Sequence, residues 1–401
     1  MTEVQHQLVQ IIANQLFGAD YPLTDTADWH EILDEAQHQT VFPVVFSYLM
    51  EYSPNFFNAE GYQIYSKMIL AHYASAIRNL QDHNELHKLL KAADIPYTIL
   101  KGQSSISYYP RPFLRSTGDV DFLVYMADRD KVDDLLREAG YKMTDKTGEH
   151  GFHWTYLKDK ATIEMHWNLP GMPECNDYIE KYTQSIIEDA HISENQNGCF
   201  FVPSVFHHGL VLLLHSLSHL TSTGMGLRHL LDWLVFENSL EEDVFVDLFE
   251  KPLKEIGLWK YAQAMTQIGV LFFSCKKQLW CEDVRKNTCE GILDDIVRSG
   301  NFGIKDGTRK LQAKLMRNSV TRKIENRNVL HNLITNVNLK ARKVLPAAER
   351  CPILLPIGWC VVGVEYIKWA RSRRGEGIGD VVTEAKKRQK LYSELKLFET
   401  S

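Results

Sequence analysis

Leu100-Lys101-Gly102, then Arg115-Ser-Thr-Gly-Asp119-Val-Asp121-Phe-Leu-Val124, then Ile163-Glu164-Met-His166-Trp167 are the stretches whose reading decides the fold. Asp119 and Asp121 stand two apart in a run that reads as a strand, so both side chains leave one face and converge. A later strand bearing Glu164 supplies a third carboxylate. Hard cations such as magnesium or manganese take oxygen ligands of this kind, and two of them roughly 3.5–4 Å apart can share such a cluster. Asp119, Asp121 and Glu164 are therefore the candidate metal ligands and the candidate catalytic residues. A lone Asp-x-Asp usually marks a solvated strand edge; here Lys101-Gly102, Arg115 and Glu164 keep it company. As an exposed ligand, Asp121 is expected to be replaceable by Asn without loss of fold, with some relief of repulsion among the carboxylates. By strand parity His166 shares the face of Glu164, to hydrogen-bond it or to touch substrate in a cleft, and Trp167 turns into the core.

Outward from this centre the hydrophobic period changes. Val4, Leu8, Ile11, Ile12 and Leu16 follow a 3.6-residue stripe, and Trp29 to Met50 and Tyr62 to Leu90 repeat it, so this part is expected to be helical. Pro96 opens a β-like run that ends at Lys101-Gly102, where a glycine lets the backbone approach a ligand. Ser104 to Tyr109 can form one or two helical turns before Pro110 and Pro112. A strand Asp119 to Val124, a helix Asp128 to Ala139 stopped by Gly140, and strands Phe152 to Leu157 and Ala161 to Trp167 follow. Helices return at Phe206 to Leu220 and, after a flexible Gly224-Met-Gly226, at Gly226 to Glu237. The predicted class is α+β: a small mixed β-sheet core flanked by large helical N- and C-terminal regions. The expected division is a helical region 1–90, an α/β core 91–203, a helical domain 204–300 and a basic helical region 301–401.

The composition is that of a globular chain, since 401 residues at 44% hydrophobic can bury sizeable cores. The best apolar candidate for a membrane span, Cys351 to Val364, contains Pro352 and Pro356 and stops at Glu365, which predicts a buried helix or turn instead. Met1-Thr-Glu-Val-Gln-His lacks the basic start and apolar stretch of a signal peptide, and seven scattered cysteines point to free thiols in a reducing compartment. A cytoplasmic protein without a membrane partner is expected. Net charge is −6, but Lys305 to Arg350 holds 12 basic against 3 acidic residues, a local +9 against −15 elsewhere. That block is a solvated helix surface or the face for an acidic partner, and it lacks the aromatic interleaving of single-strand nucleic-acid binding. Arg371 to Gly379 reads as a link before a last helix.

The order of elements around the acidic residues resembles the DNA polymerase β-like nucleotidyltransferase fold, in which a strand ends in a glycine motif, a short helix follows, and the next strand bears Asp-x-Asp. A narrower resemblance, to the uncharacterised nucleotidyltransferase family, rests on Leu100-Lys101-Gly102, Tyr109-Pro110, Arg115, Asp119-Val-Asp121-Phe-Leu-Val124, Gly140-Tyr141 and Glu164-Met-His166-Trp167. It continues through His215-Ser-Leu-Ser-His219 and Gly224-Met-Gly-Leu-Arg228-His-Leu-Leu-Asp232-Trp233, so it covers roughly residues 30 to 240. The broader pattern has Gly followed directly by Gly or Ser, with Asp-x-Asp about a dozen residues on; here Gln103 follows Gly102 and Asp119 lies 17 residues downstream. The resemblance implies transfer of a nucleoside monophosphate from an NTP, ATP among them, to a hydroxyl on a small molecule, sugar, protein or RNA end, with two Mg2+ or Mn2+ ions. Three carboxylates and a triphosphate carry more negative charge than two such ions return. Lys101, Gly102 and Arg115 are therefore the expected nucleotide-binding residues, Arg115 as a bidentate phosphate clamp. The alternative is a catalytically silent protein of the same fold that binds a nucleotide or partner; retention of all three carboxylates speaks against it.

His215 and His219 stand at i and i+4 on a helix, a spacing that can bind zinc. No glutamate follows His215, and Leu212-Leu-Leu-His-Ser-Leu-Ser-His-Leu220 is apolar, so a structural histidine pair is expected. Arg228 and Asp232, also at i and i+4, are expected to form a helix ion pair. Arg228 is also the residue of this block best placed to reach an anionic substrate in a cleft.

Overall fold

The computed structural model describes residues 1–23, 28–53, 56, 61–145, 153–169, 177–193, 198–309, 312–313, 334, 337–338, 340–342, 344–372 and 378–399. Most of the basic block and part of the link expected at Arg371 to Gly379 lie outside these residues. The chain starts with α1 (Glu3–Phe17), closed at its N-terminus by a capping box between Thr2 and Gln5 and ended by Gly18 in the left-handed region. Then come α2 (Trp29–His38), capped by the Asp28 carboxylate, α3 (Phe42–Tyr52), and the 31-residue α4 (Tyr62–Ala92), which carries the chain to the sheet.

Five strands form one mixed sheet: β1 (Tyr97–Ile99), β2 (Val120–Val124), β3 (Lys142–Asp145), β4 (His153–Lys158) and β5 (Ala161–His166), in the order β1-β2-β5-β4-β3. Only the β2–β5 pair is parallel. The short α5 (Gln103–Ile106) lies between β1 and β2, and α6 (Arg129–Glu138) between β2 and β3. β3 is an element that periodicity misses. Lys142-Met-Thr-Asp145 has one apolar residue and no alternation, and it becomes a strand by pairing with the free edge of β4. Leu86 and Leu90 of α4 and Val132 and Leu136 of α6 pack with Val120, Phe122, Val124, Ile163 and Met165 in a small core on one face of the sheet.

After α7 (Asp177–Thr183) and the ribbon β6 (His191–Ile192) and β7 (Phe201–Val202), the chain runs through α8 (Val205–Thr221), α9 (Leu227–Asn238), α10 (Glu242–Ile256), α11 (Trp259–Phe272) and α12 (Lys286–Ser299). Their apolar faces form one large cluster that also takes in the N-terminal helices: Leu8, Ile11 and Leu33 join Leu213, Leu230, Leu234, Met265 and Ile296. Each such fully buried side chain contributes roughly 1.5–3 kcal/mol. The same cluster includes Leu100, Tyr109, Leu114 and Leu123, so the helices press on the second face of the sheet.

Two expectations are corrected here. The segment Gly224-Met-Gly226 is not a loose turn: Met225 is fully buried, and a Cβ at Gly224 would stand 2.9 Å from the Gly303 nitrogen. Glycine permits that close approach, and Gly224 also takes φ +117. Of Cys351 to Val364, Pro352–Leu354 form a short 3-10 turn and the rest, from Leu355, belongs to α13 (Leu355–Ser372), yet Ile353, Ile357, Trp359, Val361 and Val364 are exposed rather than buried. Among the described residues no helix is long and apolar enough to cross a membrane. The last helix is α14 (Ile378–Ser393), and the six described cysteines are free thiols.

Candidate active site

Alternation along two neighbouring strands builds the acid cluster. Val120, Phe122, Ile163 and Met165 point into the small core, so Asp121 and Glu164 emerge on the opposite face, in register across the parallel ladder. Asp119 lies one residue before β2, and one carboxylate oxygen from each of Asp119, Asp121 and Glu164 lies within 4.8 Å of the others. Asp121, expected to be exposed, is only 1% exposed. Both of its oxygens are engaged: Lys101 Nζ is 3.1 Å from Oδ2 and His166 Nε2 3.1 Å from Oδ1. The same Nε2 is 3.5 Å from Glu164 Oε2, and the His166 ring rests on His153 with centroids 4.9 Å apart. Trp167, expected inside the core, is half-buried at its edge, T-shaped to Trp154 and beneath the Arg129 guanidinium.

The expected repelling trio is thus a compensated group. Burial opposes the charged forms of Lys101 and His166, but the surrounding carboxylates outweigh it, and both groups sit above their usual pKa. Burial also works against the Glu164 carboxylate, yet the hydrogen bond from His166 takes that group below its usual value. His153, at the rim, is lowered by burial and then by His166.

Lys101 is aimed by the turn after β1. Gly102 adopts φ 74 and ψ −106, a left-handed conformation that other residues rarely take, and swings the chain into α5. A Cβ there would stand 3.9 Å from the Asp119 carbonyl, so it is the turn and not crowding that calls for glycine. The Lys101 ammonium also donates to His215 Nε2 of α8 at 3.0 Å, which ties the acid cluster to the helices.

The Arg115 guanidinium, expected to clamp a phosphate, is hydrogen-bonded within the protein. Its Nε and Nη2 donate to the two oxygens of Asp232 at 2.8 and 2.7 Å, and Tyr109 Oη donates to the same carboxylate at 2.9 Å. All three groups are buried. This fork also corrects the expected pairing of Arg228 with Asp232, because the sheet-side arginine has taken the carboxylate. Arg228 is left beside it with Nε buried and without a hydrogen-bond partner, and among the described residues its guanidinium pairs with no carboxylate. Burial and then the Arg115 charge lower its pKa, while Asp232 and Asp119 work the other way. Lys101, Arg115, Arg228, His215, His229 and Asp232 line a cavity of about 20 Å³. A wider groove of about 710 Å³ runs along α4 past His87, Lys91 and Cys199 and contains none of these residues. Spacing along the sequence does not single out Tyr109, His153 or His229, because their partners lie on other elements.

A family described as "Uncharacterised nucleotidyltransferase" matches residues 25–274, which take in the sheet, the acid cluster, α8 and α9. The chain belongs to that family, and so stands among the nucleotidyltransferases. No curated protein matches it.

Proposed function

We propose that this protein transfers a nucleoside monophosphate from a nucleoside triphosphate to a hydroxyl-bearing acceptor at Asp119, Asp121 and Glu164. The reading is carried by the convergence of three carboxylates within 4.8 Å on neighbouring strands. An all-oxygen donor set fits magnesium or manganese, and ions held there would activate the acceptor hydroxyl and neutralise the departing pyrophosphate. Lys101 and His166 hold the Asp121 oxygens, and His166 also reaches Glu164. With Asp121 as a ligand, Lys101 would be the ammonium nearest the phosphate oxygens. Arg228 is the second cation for the triphosphate, because among the described residues no carboxylate forms an ion pair with it. Arg115 acts through Asp232, fixing α9 against the sheet so that Arg228 faces the cavity.

Pyrophosphate release with each of the four nucleoside triphosphates, with Mg2+ or Mn2+, over a panel of small alcohols, sugars, peptides and RNA ends tests the reading. Thermal-shift titrations run beside it. At least one triphosphate is expected to stabilise the protein in a metal-dependent way and to turn over with an acceptor. Binding without turnover, in any acceptor class, would leave a silent nucleotide-binding module, and no stabilisation by any triphosphate would leave a partner-binding one.

A further inference from the structure

We propose that His215, His219 and His229 form a second metal site, separate from the carboxylates, that takes a transition ion of the zinc class. The ligands come from two helices: His215 and His219 stand one turn apart on α8, and His229 lies in the first turn of α9. One ring nitrogen of each lies within 4.8 Å of the other two, and the Nε2 atoms of His215 and His219 are 3.1 Å apart. Two imidazoles on one tetrahedral zinc, each bonded at about 2.0–2.1 Å, place their nitrogens roughly 3.3 Å apart. The α8 pair already has that spacing. Bringing His229 in takes a side-chain movement on the order of 1 Å. Imidazole sets of this kind select zinc and its neighbours, where the carboxylate cluster selects magnesium or manganese.

Two observations point to an ion rather than to a packed histidine trio. Among the described residues neither ring nitrogen of His229 has a hydrogen-bond partner, although the residue is only 4% exposed. An unmet buried donor or acceptor costs about 1–3 kcal/mol, and a metal bond removes that cost at the acceptor nitrogen. Next, His215 Nε2 has one lone pair when it accepts from Lys101 at 3.0 Å, yet His219 Nε2 stands 3.1 Å from the same atom. An ion between the two rings resolves that competition.

His215 and His229 border the cavity shared with Lys101 and Arg228, which has room for one water or small anion as a fourth ligand. An ion on the histidines takes the His215 lone pair from Lys101 and repels the ammonium. Lys101 is thereby committed to Asp121 and the acid cluster.

Cobalt(II) added to the full chain after chelator treatment tests the site. One equivalent is expected to give the ligand-field spectrum of a tetrahedral nitrogen site, and zinc to displace it. Glu164→Gln should keep that spectrum, whereas His229→Gln should weaken cobalt binding at least ~100-fold, beyond the range seen on losing an outer-shell partner. A spectrum that survives His229→Gln and vanishes in Glu164→Gln overturns the proposal, because the ion then sits on the carboxylates or on the neighbouring group of His153, Glu164 and His166. X-ray absorption of the zinc-loaded wild-type protein needs no variant to fold: three imidazoles support the site, and two or fewer overturn it. The absence of any cobalt spectrum in the wild-type chain does so as well.

Discussion

The acid face of the sheet and the α8–α9 wall opposite it are both buried and highly charged, yet they treat charge in opposite ways. On the sheet, each oxygen of Asp121 has a cation or imidazole within 3.1 Å. On the wall, Arg228 Nε and both nitrogens of His229 have no hydrogen-bond partner among the described residues. Not every such orphan marks a ligand site. Glu237, on the same helix, is buried with both oxygens unpartnered, but burial pushes its pKa up to about 8, so it escapes the cost by staying protonated. An arginine has no such escape, since it keeps its proton under all ordinary conditions. On the proposed reading, Arg228 keeps its charge and takes its anion from the triphosphate.

The contrast breaks most visibly where the two regions are joined. Asp232→Asn removes the charge and one of the two acceptor oxygens of the Arg115 fork and leaves the buried guanidinium without a counter-ion, so we expect a loss of about 3–5 kcal/mol in stability. The midpoint of denaturant unfolding measures it. A loss below about 1 kcal/mol, the range of an exposed pair, would mean that this contact does not hold α9 to the sheet.

Asp121→Asn comes next. The sequence expectation of an intact or even stabilised fold is reversed by the burial of Asp121 and its contacts with Lys101 and His166. We expect about 3 kcal/mol of destabilisation together with loss of nucleotidyl transfer. Glu164→Gln, at a carboxylate 23% exposed, should also abolish transfer but cost under about 1 kcal/mol. Equal stability of the two variants would erase the distinction between a structural and a purely ligating carboxylate.

These reversals show where a sequence is legible. Parity is local: the two-residue step from Asp119 to Asp121, and from Glu164 to His166, suffices to put side chains on a common face, and the α+β class follows from where the period changes. Partner choice is not local. Whether Arg115 or Arg228 holds Asp232 depends on how α9 docks beside Tyr109, which no spacing encodes. His229 likewise meets His215 and His219 only after α8 and α9 pack, and β3 exists only because β4 has an edge to offer.

Titration separates groups that were buried neutral from groups that were paired. His83 and His208 are lowered by burial to about 4. Between that value and 6.5 the unfolded chain binds their protons and the folded chain does not, so their contribution is complete above 6.5 and is lost as pH falls. Each contributes a slope of about 1.4 kcal/mol per pH unit. Glu237 acts in the opposite sense: its folded pKa is raised, so its contribution is complete below 4.5 and is lost as pH rises to about 8. Together these three place the stability maximum near pH 6.5. In Glu237→Gln the decline on the alkaline side should become shallower, and a profile unchanged by that substitution would show that Glu237 is not protonated in the fold.

The smallest effect on stability tests the comparison most closely. If Arg228 is a cation held in reserve for a ligand, then Arg228→Met, which keeps the length and removes the charge, takes away a desolvated group that forms no ion pair among the described residues. Breaking a true buried pair costs about 3–5 kcal/mol, whereas replacing an uncompensated buried charge with an apolar side chain is neutral or stabilising. The expected change in unfolding free energy is therefore within about 1 kcal/mol of zero, with the variant the more stable if the sign can be read. The cost should appear only with ligand: the rise in melting temperature produced by a nucleoside triphosphate and Mg2+ should shrink, because a charge-assisted contact to phosphate, worth about 1.5–3 kcal/mol, is gone. A guanidinium that served the fold would show the reverse pattern, a large loss in the free protein and an unchanged response to nucleotide. Measuring the free and nucleotide-bound stabilities of this one variant therefore decides whether the α8–α9 wall is part of the scaffold or part of the binding site.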